Sequence, residues 1–257
     1  MMRPAHVFFL VIGCGGFSLA AGPPKAPPKP AYGSFVKVWH APVEGQTAPV
    51  DPDGRAMLVL SALNTSEHVE IAARSDRGGF AAYDLDRVSR LLREPSSGNQ
   101  HPIEPRLLDL AYRVQTHFKA QEIRVVSGYR TPRAGGASNH GKGRAIDLVV
   151  PGASDDDVAK FARELGFVGI GIYPSSGFVH VDVRDRSYFW IDTSGPGKRT
   201  RERGILGDLA TKSDAAAVAR GERATAPLTI GWDVDVARDA VTKTTAPVPS
   251  LDDDDDL

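Results

Sequence analysis

The sequence predicts a domain that is built from both β-strands and α-helices. Short segments of alternating or continuous apolar residues indicate strands, and longer segments with apolar residues at helical spacing indicate helices. Most segments of both kinds fall within residues 50–192, which we therefore interpret as the folded domain. At 257 residues, the chain has room for this domain and for an extension on either side.

The first 21 residues predict an export signal. Arg3 supplies a short positive region, residues 7–20 are apolar and small, and residues 18–20 suit a signal peptidase. The apolar segment is shorter than the roughly 20 residues that a membrane-spanning helix needs. We therefore expect a protein that is exported to the periplasm or cell envelope and has no integral membrane span.

Cys14, the only cysteine, lies inside this signal and has two interpretations. If Cys14 is removed with the signal, the mature chain has no cysteine and no disulfide. Alternatively, Val11, Ile12 and Gly13 before Cys14 resemble the lipobox of bacterial lipoproteins, and a lipid on Cys14 would anchor the protein to a membrane. The short apolar segment before Cys14 favours the first interpretation.

The segments on both sides of the domain have the composition of unstructured chain. Residues 22–49 form a linker rich in proline and lysine, which favours polyproline II over a packed core. Residues 193–257 form a low-complexity tail that we predict to be disordered and that ends in LDDDDDL. The 31 basic and 32 acidic residues of the chain nearly cancel, which argues against bulk binding of nucleic acid.

Apolar alternation predicts strands along much of the chain. Residues 34–40 form the first strand, and residues 56–63 and 68–74 form a hairpin on either side of an Asn-Thr-Ser-Glu turn. Further strands are predicted at residues 123–126, 145–149, 169–173 and 178–183.

Three helices are predicted between these strands. Residues 84–92 form a short helix, and a longer one begins at Pro105, since proline fits the first helical turn. The apolar face of the longer helix comprises Leu107, Leu108, Ala111, Val114 and Phe118. The third helix begins after the N-cap residue Ser154, has three aspartates near its positive end and closes at Gly166.

Two histidines have an aspartate in suggestive positions nearby. In SNHGKGRAIDLVV, residues 138–150, Asp147 lies on the strand face opposite to its apolar neighbours, and two glycines let the loop bring His140 back toward it. In FVHVDV, residues 178–183, His180 and Asp182 share one strand face. An ordinary hydrogen-bonded contact would offset the cost of burying these groups. Alternatively, two histidine nitrogens and a carboxylate oxygen form the ligand set of an open zinc site.

Arg130 lies in SGYRTP, residues 127–132, directly after a predicted strand. If the segment is only a turn that glycine and proline shape, the Arg130 side chain is solvated. If Arg130 faces a cleft instead, its guanidinium can bind a carboxylate or a carbonyl oxygen.

Taken together, SGYRTP, SNHGKGRAID, GIGIYPSSGFVHVDV and Trp190 resemble the M15-type zinc peptidases, in particular their murein endopeptidase K-like branch, formerly the domain of unknown function DUF882. The resemblance covers roughly residues 56–192. The family pattern S-x-H-x-x-G-x-A-x-D is matched at Ser138, His140, Gly143, Ala145 and Asp147. Three motifs in the right order make this signal more specific than any single one.

This resemblance implies a compact α+β fold of M15/hedgehog-like type, with an antiparallel sheet and flanking helices. It implies Zn²⁺ held by His140, Asp147 and His180, with Arg130 orienting the substrate or stabilising an oxyanion. The implied activity is hydrolysis of peptidoglycan stem peptides or cross-links, by a D,D- or L,D-endopeptidase or carboxypeptidase. The alternative is a non-catalytic, zinc-stabilised cell-wall binding module of the same fold. In either case we expect a monomer.

The sequence departs from some relatives at the position of the general base. Many family members have a glutamate three residues before the last histidine or a histidine two residues before it, where this chain has Gly177 and Phe178. Asp182 is the nearest acidic candidate for the base. Alternatively, Asp182 holds the imidazole of His180 by its free nitrogen. The loop at residues 131–137 is also shorter than the family leads us to expect.

Overall fold

The computed structural model describes residues 32–43, 45, 47–133, 138–194 and 200–224. The predicted signal, Cys14 and the aspartate run lie outside these residues. The helices are α1 Tyr32–His40, α2 Ala82–Leu91, α3 Pro105–His117, α4 Asp155–Arg163 and α5 Gly207–Ala219. The strands are β1 Met57–Ala62, β2 Glu67–Ala72, β3 Ile123–Ser127, β4 Ala145–Val149, β5 Val168–Tyr173, β6 Phe178–Val183, β7 Tyr188–Asp192 and β8 Arg201–Arg203, and His140–Lys142 forms a 3₁₀ turn. None of the described helices is both long and apolar enough to cross a bilayer.

These strands form one mixed sheet with the order β2-β1-β3-β4-β6-β5-β7-β8. The α+β class is confirmed, but the prediction of an antiparallel sheet was wrong for two pairs, since β1–β3 and β5–β7 are parallel. A parallel pair needs a long crossover, and β2, α2 and α3 supply one between β1 and β3. β7 runs parallel to β5 because β6 reverses the chain between them.

One face of the sheet packs against the helices and forms the core. Leu60 of β1, Ile146 and Leu148 of β4, and Val179 and Val181 of β6 are fully buried there. The predicted apolar residues of α3 lie against this face: Leu107, Leu108, Ala111 and Val114, fully buried, and Phe118, partly buried. Each fully buried leucine, isoleucine or valine side chain stabilises the fold by roughly 1.5–3 kcal/mol.

The predicted start of α4, the last of the three helices expected from the sequence, is confirmed. The hydroxyl oxygen of Ser154 accepts a hydrogen bond from the backbone N–H of Asp157 at 3.1 Å, so Ser154 caps α4. Asp155 and Asp156 complete the acidic first turn, where the positive end of the helix dipole favours them. This cap fixes the point at which the chain leaves β4 and enters α4.

The prediction of a strand at residues 34–40 was wrong, because these residues belong to α1. Val36 and Trp39 are partly buried, while Phe35 and Val38 are exposed, which is a helical pattern. The Arg124 guanidinium donates hydrogen bonds to three carbonyl oxygens at the end of α1, at 2.9 to 3.0 Å. Contacts with the rest of the domain therefore stabilise a helix where local alternation indicated a strand.

The prediction of disorder does not hold for residues 200–224, which contain β8 and α5. Ala210 and Ala217 of α5 are buried. The Asp214 carboxylate accepts hydrogen bonds from the backbone N–H groups of Phe167 and Ser187, at 2.6 and 2.9 Å. The buried face of α5 consists of small residues, so its composition resembled that of a low-complexity tail.

Candidate metal centre

The second face of the sheet carries a row of residues that pair across neighbouring strands. Ser127 of β3 pairs with Asp147 of β4, and Asp147 pairs with His180 of β6. His180 then pairs with Gly171 of β5, which pairs with Trp190 of β7. Because side chains alternate along a strand, these residues face away from the helical core.

Three of the candidate residues meet at this row. His140 reaches it from the 3₁₀ turn before β4, and the side chains of His140, Asp147 and His180 are all buried. His180 Nδ1 lies 3.1 Å from His140 Nε2 and 3.0 Å from Asp147 Oδ1, and the other two atoms are 3.5 Å apart. One potential ligand atom from each residue therefore lies within 4.8 Å of the other two.

The outward-facing nitrogen of each histidine is bound to an acceptor. His140 Nδ1 lies 2.7 Å from the carbonyl oxygen of Gly128, which can only accept, so Nδ1 carries the hydrogen. His180 Nε2 lies 2.9 Å from Oδ2 of the ionised Asp182 and donates to it in the same way. In the neutral form of either ring, these contacts place the lone pair on the inward-facing nitrogen.

The carboxylate of Asp147 is held in a matching way. Its Oδ2 accepts a hydrogen bond and ion pair from Nη2 of Arg130, while its Oδ1 faces the two histidines. Nε of Arg130 also donates to Oγ of Ser127 at 2.9 Å, which fixes the guanidinium over the row. Although burial raises the pKa of Asp147, the charges of His140 and Arg130 bring that pKa well below its usual value, so the carboxylate is ionised.

The inward-facing atoms of the three residues are therefore all acceptors when both rings are neutral. With both rings neutral, two imidazole nitrogens and a carboxylate oxygen would face one another as acceptors at 3.0 to 3.5 Å, so a proton or a metal ion must lie between them. Burial lowers the pKa of His180, but the hydrogen bonds with Asp147 and Asp182 raise it to about 9, so the cluster attracts positive charge. The donor set and this demand for a cation fit a bound metal ion.

The sequence comparisons agree with this arrangement. A sequence model of the Peptidase_M15_2 family, described as peptidoglycan L,D-endopeptidase MepK, matches residues 51–188, which are 138 of the 257 residues. The chain belongs to the Peptidase_M15_2 family. The predicted resemblance is thereby confirmed, and all three residues of the cluster lie inside the matched segment.

Two relatives in this family show the extent of the similarity. The chain is 32% identical over 140 residues to a probable peptidoglycan L,D-endopeptidase MepK of Haemophilus influenzae, which covers 49% of this chain and 75% of that protein. It is 30% identical over 139 residues to the peptidoglycan L,D-endopeptidase MepK of Escherichia coli K12, with 49% and 76% covered. No solved structure matches the chain significantly. Helix α1, strand β8 and helix α5 lie outside the Peptidase_M15_2 segment.

Asp182, which the sequence offered as the base or as a support for His180, has the geometry of a support. It is fully buried, and its carboxylate bonds His180 Nε2, the ring atom on the side away from the cluster. Arg184 binds the same carboxylate through two hydrogen bonds at 2.7 and 2.5 Å. Burial raises the pKa of Asp182, but Arg184 and His180 hold that pKa far below its usual value, which makes this carboxylate a poor proton acceptor.

Arg130, for which the sequence left a solvated turn and a cleft position open, lies beside the cluster with about a quarter of its side chain exposed. Two of its nitrogens bind Asp147 and Ser127. Its Nη1 bonds to none of the described residues. Arg130 therefore orients a member of the cluster and also presents a donor group at the surface of the site.

Sequence reasoning missed the contribution of the glycines in β5. A side chain at Gly171 would collide with the indole ring of Trp190, and one at Gly169 would collide with the carboxylate of Asp182. Trp190 fills the space over Gly171 and lies with its ring 5.0 Å from that of His180. Two glycines spaced two apart in an apolar strand share one face, and this spacing in GIGIY was the available signal.

Proposed function

We propose that this chain is an exported, zinc-dependent peptidase of M15 fold that hydrolyses peptide bonds in peptidoglycan stem peptides or their cross-links. The observation that carries the proposal is the convergence of three potential ligand atoms, from His140, Asp147 and His180, at a buried position that attracts positive charge. The named activity of the relatives supports peptidoglycan as the substrate and an L,D-bond as the bond that is cut.

In this proposal the three residues are the zinc ligands, through His140 Nε2, His180 Nδ1 and one oxygen of Asp147. When bound, zinc supplies Lewis acidity, which polarises a scissile carbonyl and activates water for attack on it. The protein keeps the two imidazoles correctly turned, because Gly128 and Asp182 accept the outer N–H hydrogens of the two histidines. Oδ2 of Asp147 accepts a hydrogen bond from Nη2 of Arg130, which leaves Oδ1 for the metal.

We assign Arg130 a second role toward the substrate. Its Nη1, which has no partner among the described residues, can donate to the carbonyl oxygen of the scissile bond as negative charge develops on it. Asp182 is assigned to holding His180 rather than to accepting a proton, on the support of its contacts with His180 and Arg184.

Export and the location of the enzyme in the cell envelope are part of the same proposal. The support is the amino-terminal sequence of Arg3 followed by a short apolar segment at residues 7–20. A substrate in the cell wall requires such export. Mass spectrometry of the protein isolated from cells would distinguish a cleaved signal from a lipid on Cys14.

The direct test is digestion of defined muropeptide dimers that carry either an L,D or a D,D cross-link. We expect the zinc-loaded protein to release monomers from the L,D-linked dimer, and His180→Ala to abolish the release. His68→Ala, a change of an exposed histidine on β2, is the matched control and should retain full activity. A wild-type chain that holds one zinc and releases no monomers from either dimer would contradict the peptidase proposal and favour a non-catalytic binding module.

A further inference from the structure

Arg184 lies just beyond β6 and binds both oxygens of the Asp182 carboxylate. Its Nε donates to Oδ1 at 2.7 Å and its Nη2 donates to Oδ2 at 2.5 Å. This is the two-point geometry in which the planar guanidinium matches a carboxylate, and it fixes both the distance and the rotation of that carboxylate. The same Oδ2 also accepts the N–H of His180, so Arg184 is connected to the cluster through a single residue.

The surroundings of Arg184 keep it in this position. Its guanidinium lies over the rings of Tyr188 and Trp190, at 5.5 and 5.6 Å from their centroids, where cation–π attraction favours it. Its backbone N–H donates to the carbonyl oxygen of Phe167 at 3.0 Å. The absence of a side chain at Gly169 leaves the space that the Asp182–Arg184 pair occupies.

We propose that Arg184 is a positioning residue for the metal centre, which acts through Asp182 to hold the imidazole of His180 with its Nδ1 turned toward the metal. It locks the rotation of the Asp182 carboxylate, and it balances the charge of that buried carboxylate next to His180. Without Arg184, Oδ1 of the buried Asp182 loses the donor described above, and the carboxylate can turn away from His180 Nε2. The imidazole would then lose the contact that selects its ring orientation.

The proposal rests on the proposed zinc site but not on peptidase activity, so its test is metal binding. The variants are Arg184→Ala and Arg184→Lys, with Arg186→Ala as the matched control, because Arg186 is an exposed arginine two residues further along the chain. Zinc affinity is measured by competition with a chromophoric chelator. The visible spectrum of the cobalt-substituted protein reports the ligand geometry independently of affinity.

We expect Arg184→Ala to weaken zinc binding by roughly 10–100-fold, the usual cost of losing a residue that supports a metal ligand. Its cobalt spectrum should change as well. Arg184→Lys, which keeps the charge but loses the two-point contact, should recover part of the affinity. Arg186→Ala should match the wild type in both measurements.

A folded Arg184→Ala variant with wild-type zinc affinity and an unchanged cobalt spectrum would overturn the proposal. If circular dichroism shows that Arg184→Ala does not fold, Asp182→Asn replaces it, and wild-type zinc affinity in that variant would overturn the proposal equally. A wild-type chain that binds no zinc would overturn both this inference and the metal site. A chain that binds zinc but cuts no muropeptide would overturn only the peptidase function.

Discussion

Strands β4 and β6 present two faces on which burial of a side chain has different energetic consequences. On one face, Ile146 and Leu148 of β4 lie among apolar side chains, where burial itself stabilises the fold. On the other face, Asp147 and His180 are equally buried, but their burial is costly unless each polar atom has a partner. Because the strand repeats every two residues, adjacent residues of one strand serve opposite purposes.

Because of this difference, substitutions on the two faces should have different effects. The hydrophobic contacts of the apolar face are non-directional, so a substitution there should lower the free energy of unfolding while leaving the geometry of the cluster in place. The polar face depends on a chain of directed contacts, in which Gly128, Arg130 and Asp182 each hold one member of the cluster. A defect there should remove metal binding and activity with a smaller effect on folding.

The largest effect is expected from Asp147→Asn on the polar face. The amide has nearly the same shape but carries no charge, so the cluster loses its only anionic ligand. We expect the rate of muropeptide release to fall at least about 10²–10³-fold, the scale of losing one key electrostatic contact. Liquid chromatography of the products measures the rate, and an Asn variant that works at the wild-type rate would contradict the role of Asp147.

The neighbouring residue on the apolar face should behave in the opposite way. Leu148→Ala removes a fully buried side chain from the core and should lower the free energy of unfolding by about 2–5 kcal/mol. At a temperature where the variant is folded, its zinc content and turnover per folded molecule should equal those of the wild type. Denaturant unfolding and metal analysis test this, and loss of zinc from the folded variant would show that the faces are coupled.

Gly171→Ala adds one methyl group to the polar face beneath Trp190. Since its Cβ would collide with the indole ring, Trp190 must shift, at a cost of about 1–3 kcal/mol in the free energy of unfolding. The ring of Trp190 lies 5.0 Å from that of His180, so zinc affinity should fall too. Unfolding and chelator competition measure the two effects, and an unchanged free energy of unfolding would show that the collision is relieved without cost.

The smallest effect is expected at Glu222, which lies outside both faces and ties the chain after α5 to the domain. Burial raises the pKa of Glu222, but Arg220, Arg113 and Arg77 lower it below its usual value of 4.5 overall. The ion pairs therefore stabilise the fold fully above about pH 4.5, and this contribution is lost as pH falls through the lower, folded-state pKa.

Glu222→Gln should accordingly cost about 1 kcal/mol of unfolding free energy at neutral pH, since the paired arginines are partly exposed. In acid the variant and the wild type should converge. Thermal unfolding across the pH range measures this, and a difference that grows toward acid would contradict the sign of the pKa shift.

The sequence predicted the two faces of β4 and β6 well, because alternation places Asp147 and His180 opposite their apolar neighbours whatever the tertiary structure. It did not predict the partners of these residues. Asp182 had two roles open until the positions of His180 and Arg184 were known, since a period of two gives a face but not a hydrogen bond. The structure supports one of those roles, and the assignment of the ligands themselves remains a proposal.

The two flanking segments were mispredicted for a related reason. In α1, Val36 and Val38 alternate like strand residues, but Val36 packs against the Gly177 turn while Val38 is exposed at the helix end. In α5, the buried residues include Ala210 and Ala217, whose small side chains give little local signal. Both segments depend on contacts with distant parts of the chain, which local patterns do not contain.

The central claim is that His140, Asp147 and His180 form one metal site on the polar face. Its most direct test is the metal content of the purified protein after titration with zinc and removal of loosely bound ions. We predict one zinc per wild-type chain and none in a folded His180→Ala variant, with one zinc retained in His68→Ala. A wild-type chain without zinc, or a folded His180→Ala variant that still holds one zinc tightly, would contradict the account.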